Sequence, residues 1–199
     1  MTGTRGTIRL ATEADAAAVA DIYAPYVTAS PVSFETDAPD GTEMARRIAE
    51  VQRTHAWLVF EEGGVVGGYA YGSKHRLRAA YQWSAEVSVY VAEPFRRRRI
   101  AQALYTSLFR LLAAQHFVNA YAGITLPNAA SVALHESVGF IPVGIYRNIG
   151  YKMGAWHDVG WWQLALQPHP AAPSAPRPLA TIEPRQCEEL LATGMAMVR

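Results

Sequence analysis

The chain has almost no cysteine. Cys187 stands alone among 199 residues, which excludes an internal disulfide and a cysteine-rich zinc site and fits a reducing cytoplasm best. No uninterrupted apolar run approaches the roughly 18 residues of a membrane span, and Met1 to Arg9 lacks the apolar core of a secretion signal. Charge of one sign is scarce as well. A net charge of +1 with 18% charged residues argues against broad electrostatic binding to nucleic acid, so a basic cluster reads as a local device for a local anion. Also missing are a Gly-x-x-x-x-Gly-Lys phosphate loop, a Gly-x-Ser-x-Gly nucleophile elbow, and the second histidine that would make His135-Glu136 a zinc-protease helix. Nothing calls for a metal. What is present, 50% hydrophobic residues, suffices for one domain with a full core and no covalent staples. The expectation is a soluble, cytoplasmic protein that binds neither membrane nor nucleic acid.

Six of the twelve prolines fall beyond Gln167. The spacing predicts a folded domain over 1–167 and a Pro/Ala-rich tail over 168–199, extended except for a short helix within Glu188 to Val198. Inside the domain, strand and helix signals alternate. Thr7 to Leu10 reads as a strand, Thr12 with Asp15 as a capping-box pair, and Ile22 to Tyr26 as part of a helix. Met44, Ile48 and Val51 after Thr42 keep helical spacing. Trp57 to Phe60 and Val65 to Tyr71 bracket Glu62-Gly63-Gly64 as a hairpin. In the next strand Trp83, Ala85, Val87, Val89 and Val91 share one face, with Ser84, Glu86, Ser88 and Tyr90 on the other. A long helix through Ala101, Leu104, Tyr105, Leu108 and Leu112 follows, then a strand at Asn119 to Ile124 and a helix from Asn128 to before Gly139. Val143 to Tyr151 and Val159 to Leu166 read as β. This order implies an α/β (α+β) domain with a mixed sheet and helices on both faces.

Three features carry chemistry. The run Pro94-Phe95-Arg96-Arg97-Arg98-Arg99-Ile100-Ala101 lies between the polar-faced strand and the long helix. By composition it is a solvated basic turn or a nucleic-acid patch; by position it is a cradle for phosphate or pyrophosphate, because guanidinium groups and free backbone N–H groups meet at a helix N-terminus. Asn128 and His135, seven residues apart, project from nearly the same helix face. Taken singly, Asn128 is an N-cap and His135 an ordinary histidine. Glu86, a carboxylate in a largely apolar strand, is either the partner of an arginine or a general base whose pKa burial would raise.

In this order the features resemble the GCN5-related N-acetyltransferase superfamily across roughly Ile8 to Gln167. Its coenzyme A loop reads Arg/Gln-x-x-Gly-x-Gly/Ala, with Arg96 and Ala101 at the ends and Arg99 in the glycine position. The match is closer to the phosphinothricin and methionine sulfone acetyltransferase branch. It rests on Pro31-Val32-Ser33-Phe34-Glu35, Arg78-Ala79-Ala80-Tyr81-Gln82-Trp83, Glu86-Val87-Ser88-Val89-Tyr90-Val91, Leu126-Pro127-Asn128, His135-Glu136-Ser137-Val138-Gly139-Phe140 and Trp156-His157-Asp158-Val159-Gly160.

The resemblance implies a mostly antiparallel central sheet of the acetyltransferase fold, acetyl-CoA as co-substrate, a small amino-acid-like amine as acceptor, and a homodimer. It assigns the pantetheine arm to Val89, Tyr90 and Val91, the pyrophosphate to Arg96, Arg97, Arg98, Arg99, Ile100 and Ala101, and a further cofactor contact to Asn128. Glu86 is then the base, and His135 either protonates the departing thiolate or assists deprotonation of the amine. Arg76, Arg78, Tyr81 and Phe34 form the acceptor site, the arginines for an anionic group and the aromatic rings for a short side chain. With Cys187 in the tail, no nucleophile is at hand for a covalent intermediate, so transfer to the amine is direct. Two rivals remain: an acetyltransferase for protein N-termini or another small amine, and a catalytically weak acetyl-CoA-binding module, the latter prompted by Arg99.

Overall fold

The computed structural model describes residues 6–199; the first five residues of the stretch read for a secretion signal lie outside the described residues. Strand β1 (Thr7–Leu10) leads through a capping box, with Thr12 N–H donating to Asp15 Oδ2 at 2.7 Å, into helix α1 (Ala16–Thr28). Arg9 grips the same Asp15 carboxylate with two hydrogen bonds at 2.7 Å, so the helix entry is fixed to β1. Helix α2 (Gly41–Gln52) begins where Asp40 accepts from the Glu43 N–H at 2.8 Å. Strands β2 (Trp57–Glu62) and β3 (Val65–Lys74) turn at Gly63 and Gly64, both at positive φ, where glycine carries no Cβ penalty. Then follow β4 (Ser84–Val91), α3 (Ile100–Ala114), β5 (Asn119–Leu126), α4 (Ala129–Ser137), and the hairpin of β6 (Ile141–Lys152) and β7 (Ala155–Ala165).

The seven strands form one sheet in the order β1-β2-β3-β4-β5-β7-β6, antiparallel except for the β4–β5 pair. Alternation along each strand divides the core in two. Trp57, Val59 and Tyr69 pack under α1 and α2 with Val19, Met44 and Ile48. Leu58, Phe60, Ala85 and Val87 pack under α3 with Leu104, Leu108 and Leu112. No helix among the described residues is long and apolar enough to cross a membrane.

Residues 168–199 differ from the extended tail that the prolines suggest. Trp83 Nε1 donates to the Ser174 carbonyl at 2.8 Å, and Arg177 and Gln115 exchange backbone and side-chain hydrogen bonds at 3.0 and 3.1 Å. Leu179, Ile182 and Leu191 are buried in the α3 core, the last on helix α5 (Pro184–Ala192). Ser107 of α3 donates to the Leu191 carbonyl at 2.7 Å and accepts from the Gly194 N–H at 3.1 Å. A Cβ at Gly194 would collide with the Ala103 carbonyl, so only glycine lets the chain lie this close to α3. The prolines bar regular structure without barring contact: isolated apolar residues between them reach back to a helix that is apolar on more than one face. Leu191→Ala is therefore expected to lower the unfolding free energy by about 2–3 kcal/mol in a denaturant titration; a detached tail would give no change.

Candidate active site

The site begins with a defect in the sheet. The parallel pairing of β4 and β5 covers Ser84, Ala85 and Glu86 against Asn119, Ala120 and Tyr121 and stops there. Both strands run on, β4 held by β3 as far as Val91 and β5 held by β7 as far as Leu126. Each follows its outer neighbour, so the two diverge. The backbone edges facing the gap are left without ladder partners, open to water or a guest.

A groove of about 620 Å³ opens from the gap, lined by Val89, Tyr90, Val91, Arg96, Arg97, Arg99, Ile100, Ala101 and Asn128, together with Tyr26 and Phe95. Arg97 and Arg99 both lie at φ 62°, in the left-handed region. Arg99 thus keeps the backbone shape that a glycine would favour, and the loop delivers its N–H groups to the start of α3, where the Ile100, Ala101 and Gln102 amides precede the first helical donor, the Ala103 N–H bonded to the Arg99 carbonyl at 3.0 Å. The four arginines are not equivalent. Arg96 lies over the Tyr26 ring at 5.8 Å, and Arg97 and Arg99 face the groove. Arg98, expected as a cofactor ligand, turns its side chain away into a bidentate ion pair with Glu62 at 2.7 and 2.9 Å, leaving only its backbone to the loop. That pair ties the loop to β2.

A smaller cavity of about 70 Å³ continues inward between Val87, Ser88 and Gly123 to Tyr105, Asn128, Ser131 and His135. Asn128 caps α4 through the Ser131 N–H at 3.1 Å. His135 Nδ1 donates to the Ser131 carbonyl at 2.8 Å, which leaves Nε2 to accept from the Tyr105 hydroxyl at 3.0 Å. Burial pushes the His135 pKa below its ordinary value, against the smaller opposing effect of the Ser131 bond, so the ring is neutral near pH 7. Both of its nitrogens are engaged. The Tyr105 oxygen is the atom of this pair with spare capacity, and burial holds its phenol protonated. The sequence marks Tyr105 only as one residue of the long helix; the signal for more is a tyrosine on the apolar face of a helix, whose hydroxyl requires a partner when buried.

On the opposite face of β4, Glu86 is half-buried, and burial raises its carboxyl pKa while the Arg76 charge works against that rise. It lines neither cavity. Arg76 Nη1 is 4.0 Å from Oε2, and His75 Nδ1 3.5 Å. Arg76 also lies over the Trp161 ring at 5.4 Å, and Tyr81 meets His75 edge-on at 6.4 Å, so Arg76 and Tyr81 gather beside Glu86. Arg78 is exposed at the head of the 3-10 turn Ala79–Tyr81. Phe34 packs against Gly150 of β6, where a Cβ would strike its ring, and tilts toward His157 at 6.3 Å. Its loop is pinned by Ser33, whose hydroxyl bonds Tyr23 at 2.6 Å, and by Lys152, whose ammonium donates to the Val27 and Ser33 carbonyls at 2.6 Å.

Comparison with known proteins bears on this geometry. Residues 8–161 match the model of an acetyltransferase (GNAT) domain. A phosphinothricin N-acetyltransferase of Streptomyces viridochromogenes is 42% identical over 88% of this chain and 95% of its own length. An L-methionine sulfoximine/L-methionine sulfone acetyltransferase of Salmonella typhimurium is 34% identical over 85% of this chain and 99% of its own. The crystal structure of a phosphinothricin acetyltransferase from Sinorhizobium meliloti in complex with AcCoA superposes with a TM-score of 0.80 at 31% identity, covering 90% of this chain and 96% of that one.

The left-handed backbone at residue 99 is costly for any side chain but glycine's. Arg99→Gly is expected to raise stability by about 1 kcal/mol, read as a higher melting temperature of the free protein.

Proposed function

The chain belongs to the GNAT acetyltransferase family and is an acetyl-CoA-dependent N-acetyltransferase, and from that premise we propose that its acceptor is the α-amine of a small anionic amino-acid analogue of the phosphinothricin or methionine sulfone type. The observation that carries this reading is Glu86, a carboxylate of raised pKa with Arg76 and Tyr81 beside it, at the point where β4 and β5 part. Arg76 and Arg78 would hold the acceptor's acidic group, while Phe34 and Tyr81 would pack on its methylated end. Val89, Tyr90 and Val91 would offer the pantetheine arm their backbone edge, with Asn128 beside it. The amides of the Arg96 to Ala101 loop would take the pyrophosphate, with Arg96, Arg97 and Arg99 adding charge.

The chemistry follows from charge. An ammonium has no lone pair, so the acceptor must first lose a proton, which Glu86 takes. The nitrogen then attacks the thioester carbonyl carbon; the C–N bond forms, the C–S bond breaks, and the thiolate leaves. The thiolate takes its proton from water, and the Tyr105–His135 pair, its one O–H proton committed to Nε2, lines the cavity on that side. A thiol pKa of about 8.5 makes that second transfer the easier one. Cys187 is partly buried on α5, which fits direct transfer without an acyl-enzyme. Acetylation of such an analogue would remove its charged amine, and in the cytoplasm, where acetyl-CoA is made, that would confer resistance to it.

The same reading includes a homodimer. β6 is an edge strand, and Ile141, Val143, Ile145, Tyr146, Ile149 and Tyr151 on or beside it are all exposed. An apolar edge of this length is a liability unless covered, and a second copy would cover it.

Two measurements test the reading. Thiol release from acetyl-CoA is expected with phosphinothricin and methionine sulfone; activity confined to peptides would move the chain to the protein-acetylating rival, and tight binding with no turnover of any amine to the binding-module one. Glu86→Gln is expected to lower kcat by at least about 10²-fold while leaving acetyl-CoA affinity within twofold. Because the active base is the carboxylate, wild-type turnover should fall as the pH drops through the raised Glu86 pKa.

A further inference from the structure

His75 lies in the segment between β3 and β4, and no motif points to it. Its ring stacks on Tyr121 at 4.5 Å and 14°, and the Trp161 ring stands across it at 5.6 Å. Its side chain is 11% exposed, against 35% for Glu86. Nδ1 is sealed from solvent and has no hydrogen-bond partner among the described residues. The acidic atom beside it is Glu86 Oε2, 3.5 Å away, a gap that a small torsional shift of either side chain would close to bonding distance. A buried ring nitrogen without a partner is costly, and here it faces the carboxylate that must dispose of a proton once per turnover.

We infer that His75 is a positioning residue for Glu86 and the temporary holder of its proton: the carboxylate collects the acceptor's proton and His75 Nδ1 keeps it until the product leaves. The inference rests on the reading of Glu86 as the base. In the resting pair the ring is neutral with its hydrogen on Nε2. When the ammonium gives a proton to the carboxylate, the proton crosses to Nδ1, leaving carboxylate beside imidazolium. When the product leaves, the proton returns from Nδ1 through the half-buried Glu86 carboxylate to water, and the ring regains its resting form. The Tyr121 and Trp161 rings hold the imidazole in plane and keep water from Nδ1. The charged and titratable groups around the pair are Arg76 on the same segment, Tyr71 of β3, Tyr81 of the 3-10 turn, Tyr121 of β5, and Tyr146 of β6 behind Trp161. Burial and the Arg76 charge both push the His75 pKa below its ordinary value, so the ring is free to accept a proton near neutral pH.

The coupling is read without any acceptor by nitrogen-15 NMR of the histidine side chains, with the His75 signals assigned by their loss in His75→Gln. In Glu86→Gln the His75 midpoint is expected to fall by about one pH unit, because the carboxylate that stabilises its imidazolium is gone. An unmoved midpoint overturns the inference. In turnover, His75→Phe, which keeps the stacking on Tyr121, and His75→Gln, which cannot titrate, are each expected to lower kcat at neutral pH about tenfold. Both should also shift the acid limb of the kcat–pH profile to higher pH, because the imidazolium that favours the Glu86 carboxylate is gone, with acetyl-CoA affinity unchanged. A limb that stays in its wild-type place in both variants overturns the inference whatever the drop in rate, since a purely structural role lowers rate without moving the limb. If Glu86→Gln leaves turnover intact, it is the base reading that fails, and the NMR arm reports separately on whether the two groups are coupled.

Discussion

Everything at the site depends on three residue pairs. Ala85 and Ala120, both fully buried, sit at the centre of the short parallel contact between β4 and β5, and beyond Glu86 and Tyr121 each strand keeps faith with its antiparallel neighbour instead. A parallel pair cannot be closed by a tight turn; it needs a crossover, and the crossover here is α3. The same constraint that opens the gap therefore puts a helix N-terminus at its mouth, on the side where β4 ends. The alternation of β4 sends Val87 and Val89 toward α3 and Glu86, Ser88 and Tyr90 toward α1 and α2. A molecule lying in the gap would touch residues of both faces, with Glu86 on one side and the Tyr105–His135 pair on the other.

The helix that supplies the anion cradle also explains the C-terminal segment. Ala103, Ser107 and Leu111 lie on a different side of α3 from the residues that meet the sheet, and all are completely buried. In a two-layer arrangement that side would face water. Residues 179–198 cover it, and the Arg199 N–H reaches the Arg98 carbonyl at 3.2 Å, so the chain's end is fastened to the basic loop. A helix apolar over most of its circumference is a largely buried one, and in α3 only the Gln102, Thr106 and Arg110 stripe is polar and accessible. The prolines beyond Gln167 spoke more loudly, because a proline run advertises what it cannot form and says nothing of what it touches.

Much of the remainder was legible for a simple reason: it is local. The Thr12–Asp15 box, the Gly63-Gly64 hairpin, the strict alternation of β4 and the position of the arginine run each follow from neighbouring residues. Contacts between distant segments were not legible. Nothing near Arg98 in the chain announces Glu62, and nothing near His75 announces Tyr121 and Trp161, which come from β5 and β7. His135 was found by its spacing from Asn128, but the commitment of both its nitrogens depends on Tyr105, thirty residues earlier, a core residue whose neighbours in the chain say nothing of its hydroxyl's partner.

The arginine run shows why composition misleads about such a loop. Four guanidinium groups suggest a site that works by charge. One of them is spent on Glu62, one lies over an aromatic ring, and the two that face the groove occupy backbone conformations that disfavour any side chain. A left-handed residue costs roughly 1–2 kcal/mol, and two are held here, each by a loop anchored at Glu62 on one side and at Arg199 on the other. That cost makes sense if the backbone is what matters: left-handed residues turn successive N–H groups toward one point, making a concavity that binds an anion by fixed dipoles. Exposed guanidinium groups contribute a term that salt screens, whereas amides at a helix start, enclosed by their ligand, are screened far less. A loop built this way keeps at Arg99 the left-handed conformation a glycine would adopt, so an arginine there preserves the direction of the N–H groups.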